Sequence, residues 1–138
     1  MRQAHLSIDF WELRSGEVLN REHPDTFWVP SIDERQNLAK GQAAKLIFDI
    51  EAEDEDGVVH LSGERMWVIV SERVDGGYVG ILDNQPASLN PHPDTYLCFG
   101  AEIPFLPEHV IDIATPPAEY VEWQLRQRPE RRWPRDPV

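Results

Sequence analysis

The most constraining feature of the sequence is a pair of apolar, β-branched runs separated by a two-glycine turn. The first run covers residues 66–70 and the second residues 78–82, and both are rich in Val, Ile and aromatic side chains, which favour strands. Between them, Asp75-Gly76-Gly77 supplies the backbone freedom that a tight hairpin turn requires. The sequence therefore predicts an antiparallel hairpin as the centre of the fold.

Further strand candidates flank this hairpin. Residues 43–50 form an apolar run that follows a glycine, and residues 95–99, 102–105 and 110–113 are shorter β pieces. Proline restricts strands to edges, bulges and loops, because it donates no hydrogen bond to a neighbouring strand. Such restrictions apply here at Pro86, Pro91, Pro93, Pro104 and Pro107.

A short helix is predicted to begin after Ser31. Ser31 and Glu34 have the capping-box spacing, in which each side chain accepts a hydrogen bond from a free backbone N–H of the other residue. Gly41 is typical of the position just beyond a helix end. Before this helix, residues 5–13 fit either a strand or a helical turn, with the strand favoured, and residues 14–26 are predicted to be a loop.

The C-terminal part combines a second helix with a basic tail. Thr115-Pro116-Pro117 is typical of a helix start, and Tyr120, Trp123 and Leu125 follow on an amphipathic helix that ends at about Arg128. From residue 126 onward, five arginines against two acids give a net charge of +3, which leaves −15 on the first 125 residues. We predict a single domain over residues 1–125 and an Arg-rich tail over residues 126–138 that lies on the acidic body.

Composition limits the class of protein. The 138 residues suit one domain, and the net charge of −12 disfavours binding to nucleic acid or to anionic membranes through the acidic body. No stretch approaches the roughly 20 apolar residues that cross a bilayer, and the start lacks the apolar region of a secretory signal. We expect a cytoplasmic chain. Cys98 is expected to lie in the core, whereas Trp11 and Trp133 are the tryptophans least expected there.

No motif predicts catalysis, a metal or a cofactor. The five histidines lack ligand spacing, no serine lies in a nucleophile elbow, and no glycine-rich phosphate loop is present. The most notable histidine is His109, beside Glu108, and a structural role is favoured for it as well. Five carboxylates between Glu51 and Asp56 lack the twelve-residue frame of a calcium loop. They predict a solvated loop, with weak cation binding or a contact surface for a basic partner as alternatives.

Polar residues at the end of the central hairpin are a second candidate region. Trp67 in a strand is most often a core residue, and Asp83-Asn84-Gln85 most often forms a turn. The alternative is a recognition site at the mouth of the sheet. Its side chains would have to converge on one cavity: Arg65, Trp67, Asp83, Asn84 and His109.

The chain resembles the bacterial proteins grouped as domain of unknown function 2314, the YegJ-like proteins. The resemblance is carried by Phe27-Trp28-Val29-Pro30-Ser31 with Glu34-Arg35, by Leu38 and Lys40-Gly41 with Lys45-Leu46-Ile47-Phe48, by Glu64-Arg65-Met66-Trp67-Val68, by the run from Gly77 to Pro86, and by the run from Ile103 to Asp112. Together they span roughly residues 26–113. The resemblance implies an α+β fold with a small curved, barrel-like antiparallel sheet, and it implies no established activity.

Three functional hypotheses follow. The leading one is a non-catalytic module that binds a basic protein through Glu53, Asp54, Glu55 and Asp56; its most specific form is an immunity-type protein that neutralises a basic toxin. The alternative is a small-ligand-binding domain or enzyme that uses the five-residue pocket at the mouth of the sheet. The third is a nucleic-acid adaptor that acts through the arginine tail alone.

Overall fold

The computed structural model describes residues 1–87 and 91–135. Within them the elements follow in the order α1 (Leu6–Asp9), β1 (Trp11–Leu13), α2 (Gly16–Glu22), α3 (Ile32–Gln36), β2 (Ala43–Glu53), β3 (Val59–Val74), β4 (Gly77–Leu82), β5 (Glu102–Phe105), the 3₁₀ turn Pro107–His109, β6 (Asp112–Ala114) and α4 (Ala118–Arg126).

The strands form one curled antiparallel sheet, which confirms the predicted α+β class. Strands β1 to β5 are adjacent in chain order, and β6 pairs with β2 beside β1. The sheet closes part of the way toward a barrel. The longest pairing joins β2 and β3 over eleven positions, from Ala43 opposite Ile69 to Glu53 opposite Val59.

The predicted central hairpin is confirmed as β3 and β4. Its turn requires glycine for a steric reason, because a Cβ on Gly77 would lie 2.6 Å from the backbone oxygen of Phe105 on β5. The register shifts between Val70 and Glu72, so Ser71 forms a bulge whose hydroxyl donates to the Val79 carbonyl at 3.0 Å. A bulge bends a strand and increases its twist, which favours the curl of the sheet.

The inner face of the sheet carries the core. Alternate residues of β2 and β3 point to it, including Leu46, Phe48, Met66 and Val68, and all four are buried. The opposite, outer face of the same strands carries Lys45, Trp67, Arg65 and Leu61 in turn, and it is only partly covered.

The last described segment, which we call the C-terminal strap (residues 127–135), packs into this core. Trp133 is 2 % exposed, and its ring lies edge-on to Trp11 and Tyr96 at centroid distances of 5.7 and 5.2 Å. The expectation that Trp11 and Trp133 lie outside the core is wrong, because the two rings pack against each other and bury each other. Residues 136–138 of the predicted tail lie outside the described residues.

The strap also covers the exposed edge of β5. Arg131 pairs with Ala101 in a parallel bridge, and its carbonyl accepts a hydrogen bond from the Glu102 amide at 2.9 Å. Next to it, Pro104 stands in β5 as an edge residue, as predicted. The edge is therefore closed to pairing with another strand at Glu102.

Several local predictions need correction. Residues 5–13 divide into a helical turn and the short strand β1, with Phe10 between them in the left-handed conformation at φ 66°. Helix α2 occupies most of the predicted loop 14–26, since Ser15 caps it by accepting from the Val18 amide. Residues 95–99 form no strand. Cys98 is half-buried rather than a core residue.

Both predicted helices are present with altered ends and faces. The capping box of Ser31 and Glu34 is formed, but α3 ends at Gln36, earlier than predicted. Helix α4 ends at Arg126, and its buried residue is Gln124, whereas Tyr120 and Trp123 are exposed. Gln124 turns inward because its amide donates to the Asp83 carboxylate at 3.0 Å.

Candidate functional site

The distal end of the β2–β3 hairpin extends beyond the packed sheet. We call residues 51–61 the hairpin arm; it contains the end of β2, a turn and the start of β3. Every residue from Glu53 to Leu61 is exposed. The predicted solvated loop is thus shorter than expected, because the Glu51 to Glu53 part continues β2, where Ala52 is buried.

The tip of the arm is an ordered turn. The Asp54 carboxylate accepts hydrogen bonds from the backbone amides of Asp56 and Val58, at 2.9 and 2.8 Å. Gly57 completes the turn with φ +80°, a conformation that other residues rarely adopt. Asp54 therefore fixes the turn, while the side chains of Glu53, Glu55 and Asp56 extend into solvent.

Apolar side chains stand beside these carboxylates. On the outer face, Val59 is paired with Glu53 and Leu61 with Glu51 across the two strands. Val59 is 58 % exposed and Leu61 52 %. The arm therefore presents an acidic surface with an apolar row beside it, which is a combination found at protein contacts.

The acidic charge of the arm is not neutralised within the described residues. No Lys, Arg or His there forms an ion pair with Glu51, Glu53, Asp54, Glu55 or Asp56. Several arginines are instead bound to other carboxylates, each within 3.0 Å: Arg2 to Asp9, Arg14 to Asp49, Arg35 to Glu17 and Arg135 to Glu72 and Glu102.

The structure brings together three of the five residues of the predicted pocket. The Trp67 amide donates to Asn84 Oδ1 at 2.7 Å, and the Asp83 amide donates to the Trp67 carbonyl at 2.9 Å. The Asp83 carboxylate accepts from the Tyr120 hydroxyl at 2.5 Å and from Gln124. Burial and then the Asp83 hydrogen bond raise the pKa of Tyr120 to about 12. These polar groups hold α4 against the end of the β3–β4 hairpin.

The remaining two residues lie in other surroundings. The Arg65 guanidinium lies over the Phe27 ring, 5.6 Å from its centroid. His109 is 7 % exposed in the 3₁₀ turn, and its Nδ1 accepts from the Leu106 amide at 3.0 Å. Burial lowers the pKa of His109. None of the five residues lines any of four clefts that open among the described residues.

Sequence reasoning missed one prominent surface residue. Trp28 is 78 % exposed, the largest exposed fraction among the large apolar side chains of the described residues. Its neighbour Phe27 packs under Arg65, so the chain passes over the outer face of the sheet at this point. The sequence does contain a signal, because Pro30 disfavours a helical conformation at Val29 and cannot donate a hydrogen bond to a neighbouring strand.

Within residues 1–87 and 91–135, no group of three or more His, Cys, Asp or Glu side chains is arranged to hold a metal ion. In the same residues, no helix has the length and apolar character needed to span a bilayer. Comparisons with protein-family models, with curated proteins and with solved structures found no match to this chain. The resemblance to the YegJ-like proteins stays a prediction.

Proposed function

We propose that this chain is a non-catalytic module that binds a basic protein through the hairpin arm. The observation that supports the proposal is an exposed strand–turn–strand segment whose five carboxylates have no cationic partner among the described residues, although several arginines of the chain pair with other carboxylates. Uncompensated charge of one sign attracts a partner of the other sign and speeds the encounter.

The apolar row beside the charge adds a contact that salt does not screen. Val58, Val59 and Leu61 are each more than half exposed, and burying them against a partner would stabilise a complex by removing apolar surface from water. A basic surface with apolar side chains among its lysines and arginines matches this pattern. We therefore expect fast, salt-sensitive association and a dissociation rate that depends on the apolar row.

The proposal has a more specific form. A small acidic chain with an exposed anionic arm suits neutralisation of a basic toxin in the bacterial cytoplasm, as an immunity-type protein does. Membership of the YegJ-like family is part of the same proposal, and it rests on the sequence segments described above. The alternative of a ligand pocket formed by Arg65, Trp67, Asp83, Asn84 and His109 gains no support, because these side chains are bonded within the fold or lie apart.

The first test is capture of the partner from the native lysate on the immobilised chain. The wild type is compared with an arm variant that carries E51Q, E53Q, D54N, E55Q and D56N. The matched control, E22Q, D25N, D75N, E119Q and E122Q, removes the same number of negative charges from exposed positions elsewhere. Proteins retained at low salt are identified by mass spectrometry, and the association rate of the main one is then measured.

We expect one basic protein that the wild type and the control retain and the arm variant loses. Its association rate with the arm variant should fall about tenfold or more at low salt, and the difference should shrink at high salt. An association rate that is equal for the arm variant and the control would contradict the proposal, because net charge alone would then account for binding.

A further inference from the structure

A second surface feature lies around Trp28. A cleft of about 440 Å³ opens beside its ring, between the segment that precedes α3 and the strand β6. Glu34 on α3 and Asp112 on β6 both line the cleft, and both are exposed. The cleft thus combines one accessible indole ring with two carboxylates from different parts of the chain.

Each carboxylate retains an oxygen for a ligand. Glu34 uses Oε1 to accept from the amide and the hydroxyl of Ser31, at 3.3 and 2.9 Å. Asp112 uses Oδ1 to accept from the Ile113 amide at 2.9 Å. These bonds hold the two side chains in position, while Glu34 Oε2 and Asp112 Oδ2 accept no hydrogen bond from the described residues.

The cleft contains no positive charge of its own. None of the residues that line it is Lys, Arg or His. Two cations lie on elements that border the cleft, and neither forms an ion pair with Glu34 or Asp112. Arg35 donates to the Pro30 carbonyl and to Glu17. Lys45 is opposite Asp112 across β2 and β6, but its ammonium is directed to the Trp67 ring, 5.6 Å from the centroid. The negative charge at this cleft is therefore available to a cation from outside.

The walls of the cleft suit the stem of a long cationic side chain. They are formed by Val29, Pro30, Ile111 and Ile113, which are apolar. Arginine places its methylene groups along apolar surface while its charged end remains in a polar environment. Its planar guanidinium stacks on an indole ring and donates to carboxylates at the same time, which an ammonium group does less well.

We propose that the Trp28 cleft binds an arginine side chain of a protein partner, with the guanidinium on the indole and hydrogen-bonded to Glu34 and Asp112. The assignment of the arginine to a protein partner rests on the function proposed above. The preference of the cleft for an arginine side chain is argued from its own residues. The cleft and the hairpin arm are related through β3, because Arg65, which lies over the Phe27 ring beside Trp28, and Leu61 on the arm share its outer face. One basic partner can therefore contact both.

The test is an NMR titration of the full chain with N-acetyl-arginine amide, followed through the tryptophan indole N–H signals. The W28F variant identifies the Trp28 signal. N-acetyl-citrulline amide, which has the same shape without the charge, is the control ligand. We expect the arginine ligand to shift the Trp28 signal with saturation and at least tenfold tighter binding than the citrulline ligand shows.

The carboxylates are tested with the double variant E34Q/D112N. A glutamine at position 34 preserves the capping box, and an asparagine at position 112 still accepts from Ile113, so the fold should be retained. We expect at least tenfold weaker binding of N-acetyl-arginine amide. The matched control, E119Q/E122Q on α4 near the exposed Trp123, should bind like the wild type.

Several results would overturn the inference. Equal shifts with the arginine and citrulline ligands would show that the cleft does not recognise the positive charge. An unchanged affinity of E34Q/D112N would show that Glu34 and Asp112 do not bind the ligand. Tighter binding of free arginine than of the amide would reassign the cleft to a metabolite. The arm variant should bind the amide like the wild type, so a failure of the arm proposal and a failure of the cleft proposal are distinguishable.

Discussion

The C-terminal strap and the hairpin arm are the two segments in which the sequence concentrates charge, and they differ in how their charges are paired. Arg135 of the strap donates to the carboxylates of Glu102 and Glu72, and Trp133 beside it is buried. The arm carries five carboxylates, and they meet solvent instead of cations. One charged segment is anchored in the core by Trp133 while its arginines stay at the surface, and the other has no such anchor.

The difference lies in which apolar and oppositely charged residues accompany the charges of each segment. Trp133 supplies apolar area that binds the strap to Trp11 and Tyr96, and Glu102, 5 % exposed, requires a cation nearby. Beyond its charges, the arm offers the exposed Val58, Val59 and Leu61 and only the small side chain of Ala52 to the interior. A charged segment becomes structural where an aromatic anchor and a buried counter-charge are both present, and it stays available for binding where they are absent.

Removal of the aromatic anchor should have the largest effect. We expect W133A to lower the free energy of unfolding by about 3–5 kcal/mol, because it leaves a cavity beside Trp11 and removes the indole hydrogen bond to the Arg2 carbonyl. The measurement is urea denaturation. The control is W123A, at a tryptophan that is 48 % exposed, and it should have a much smaller effect. Equal losses would show that the strap contributes no more than the surface of α4.

Removal of the buried counter-charge should have the next largest effect. Arg135 contacts two carboxylates, of which the Glu102 side chain is 6 % exposed and that of Glu72 46 %. We expect E102Q to destabilise the fold by about 1–3 kcal/mol, since a buried hydrogen-bonded charge is lost. E72Q should change stability by about 0.5 kcal/mol at most, because solvent screens the exposed pair. The reverse order in urea denaturation would contradict this interpretation.

Acid should loosen the strap through its contact with the N-terminal segment. The Arg2 guanidinium stacks on Trp133 and forms two hydrogen bonds to Asp9. Burial alone would raise the pKa of Asp9, but the Arg2 and His5 hydrogen bonds outweigh it and hold that pKa below 3.8. The stabilisation is thus complete above about pH 3.8 and is lost as the pH falls through the lower pKa of the folded chain.

The titration of the Asp9 carboxyl by NMR measures this effect. The R2Q variant should return the Asp9 pKa toward its ordinary value, and the Trp133 indole signal should move at the same pH as the Asp9 carboxyl in the wild type. A Trp133 signal that is insensitive to the Asp9 titration would separate the strap from the N-terminal segment.

Neutralising the arm should have the smallest effect on stability. We expect the five-substitution arm variant to unfold within about 0.5 kcal/mol of the wild type, because exposed side chains contribute little and the amide oxygen introduced by D54N can still accept the two turn hydrogen bonds. At low salt it should be slightly the more stable protein, since mutual repulsion is removed. A large loss of stability would mean that the arm is a structural element, and the comparison with the strap would fail.

The sequence predicts the parts of the fold that local chemistry determines. The Asp-Gly-Gly hairpin, the Ser31–Glu34 capping box and the edge position of Pro104 each follow from a few adjacent residues. The inward position of Gln124 does not follow from sequence, because its partner, Asp83, lies 41 residues away. The short helix α2 was missed since a polar stretch with a histidine–proline break resembles a loop.

The candidate surfaces divide in the same way. The acidic arm is visible in the sequence as a run of like charges, although its buried Ala52 and its paired strands are not. The cleft at Trp28 could not be predicted, because Glu34 and Asp112 come together only when β6 pairs with β2. A tryptophan between apolar neighbours is most often a core residue, and only the fold shows that the Trp28 ring is exposed.

The hydrogen bond from the Trp133 indole to the Arg2 carbonyl joins residues 131 positions apart. During synthesis, Trp11 and Tyr96 leave the ribosome long before Trp133 does, so the nascent sheet exposes an open aromatic site until the strap emerges. Until then, apolar surface of the incomplete core is exposed. The core of this protein can therefore close only after translation has passed Trp133.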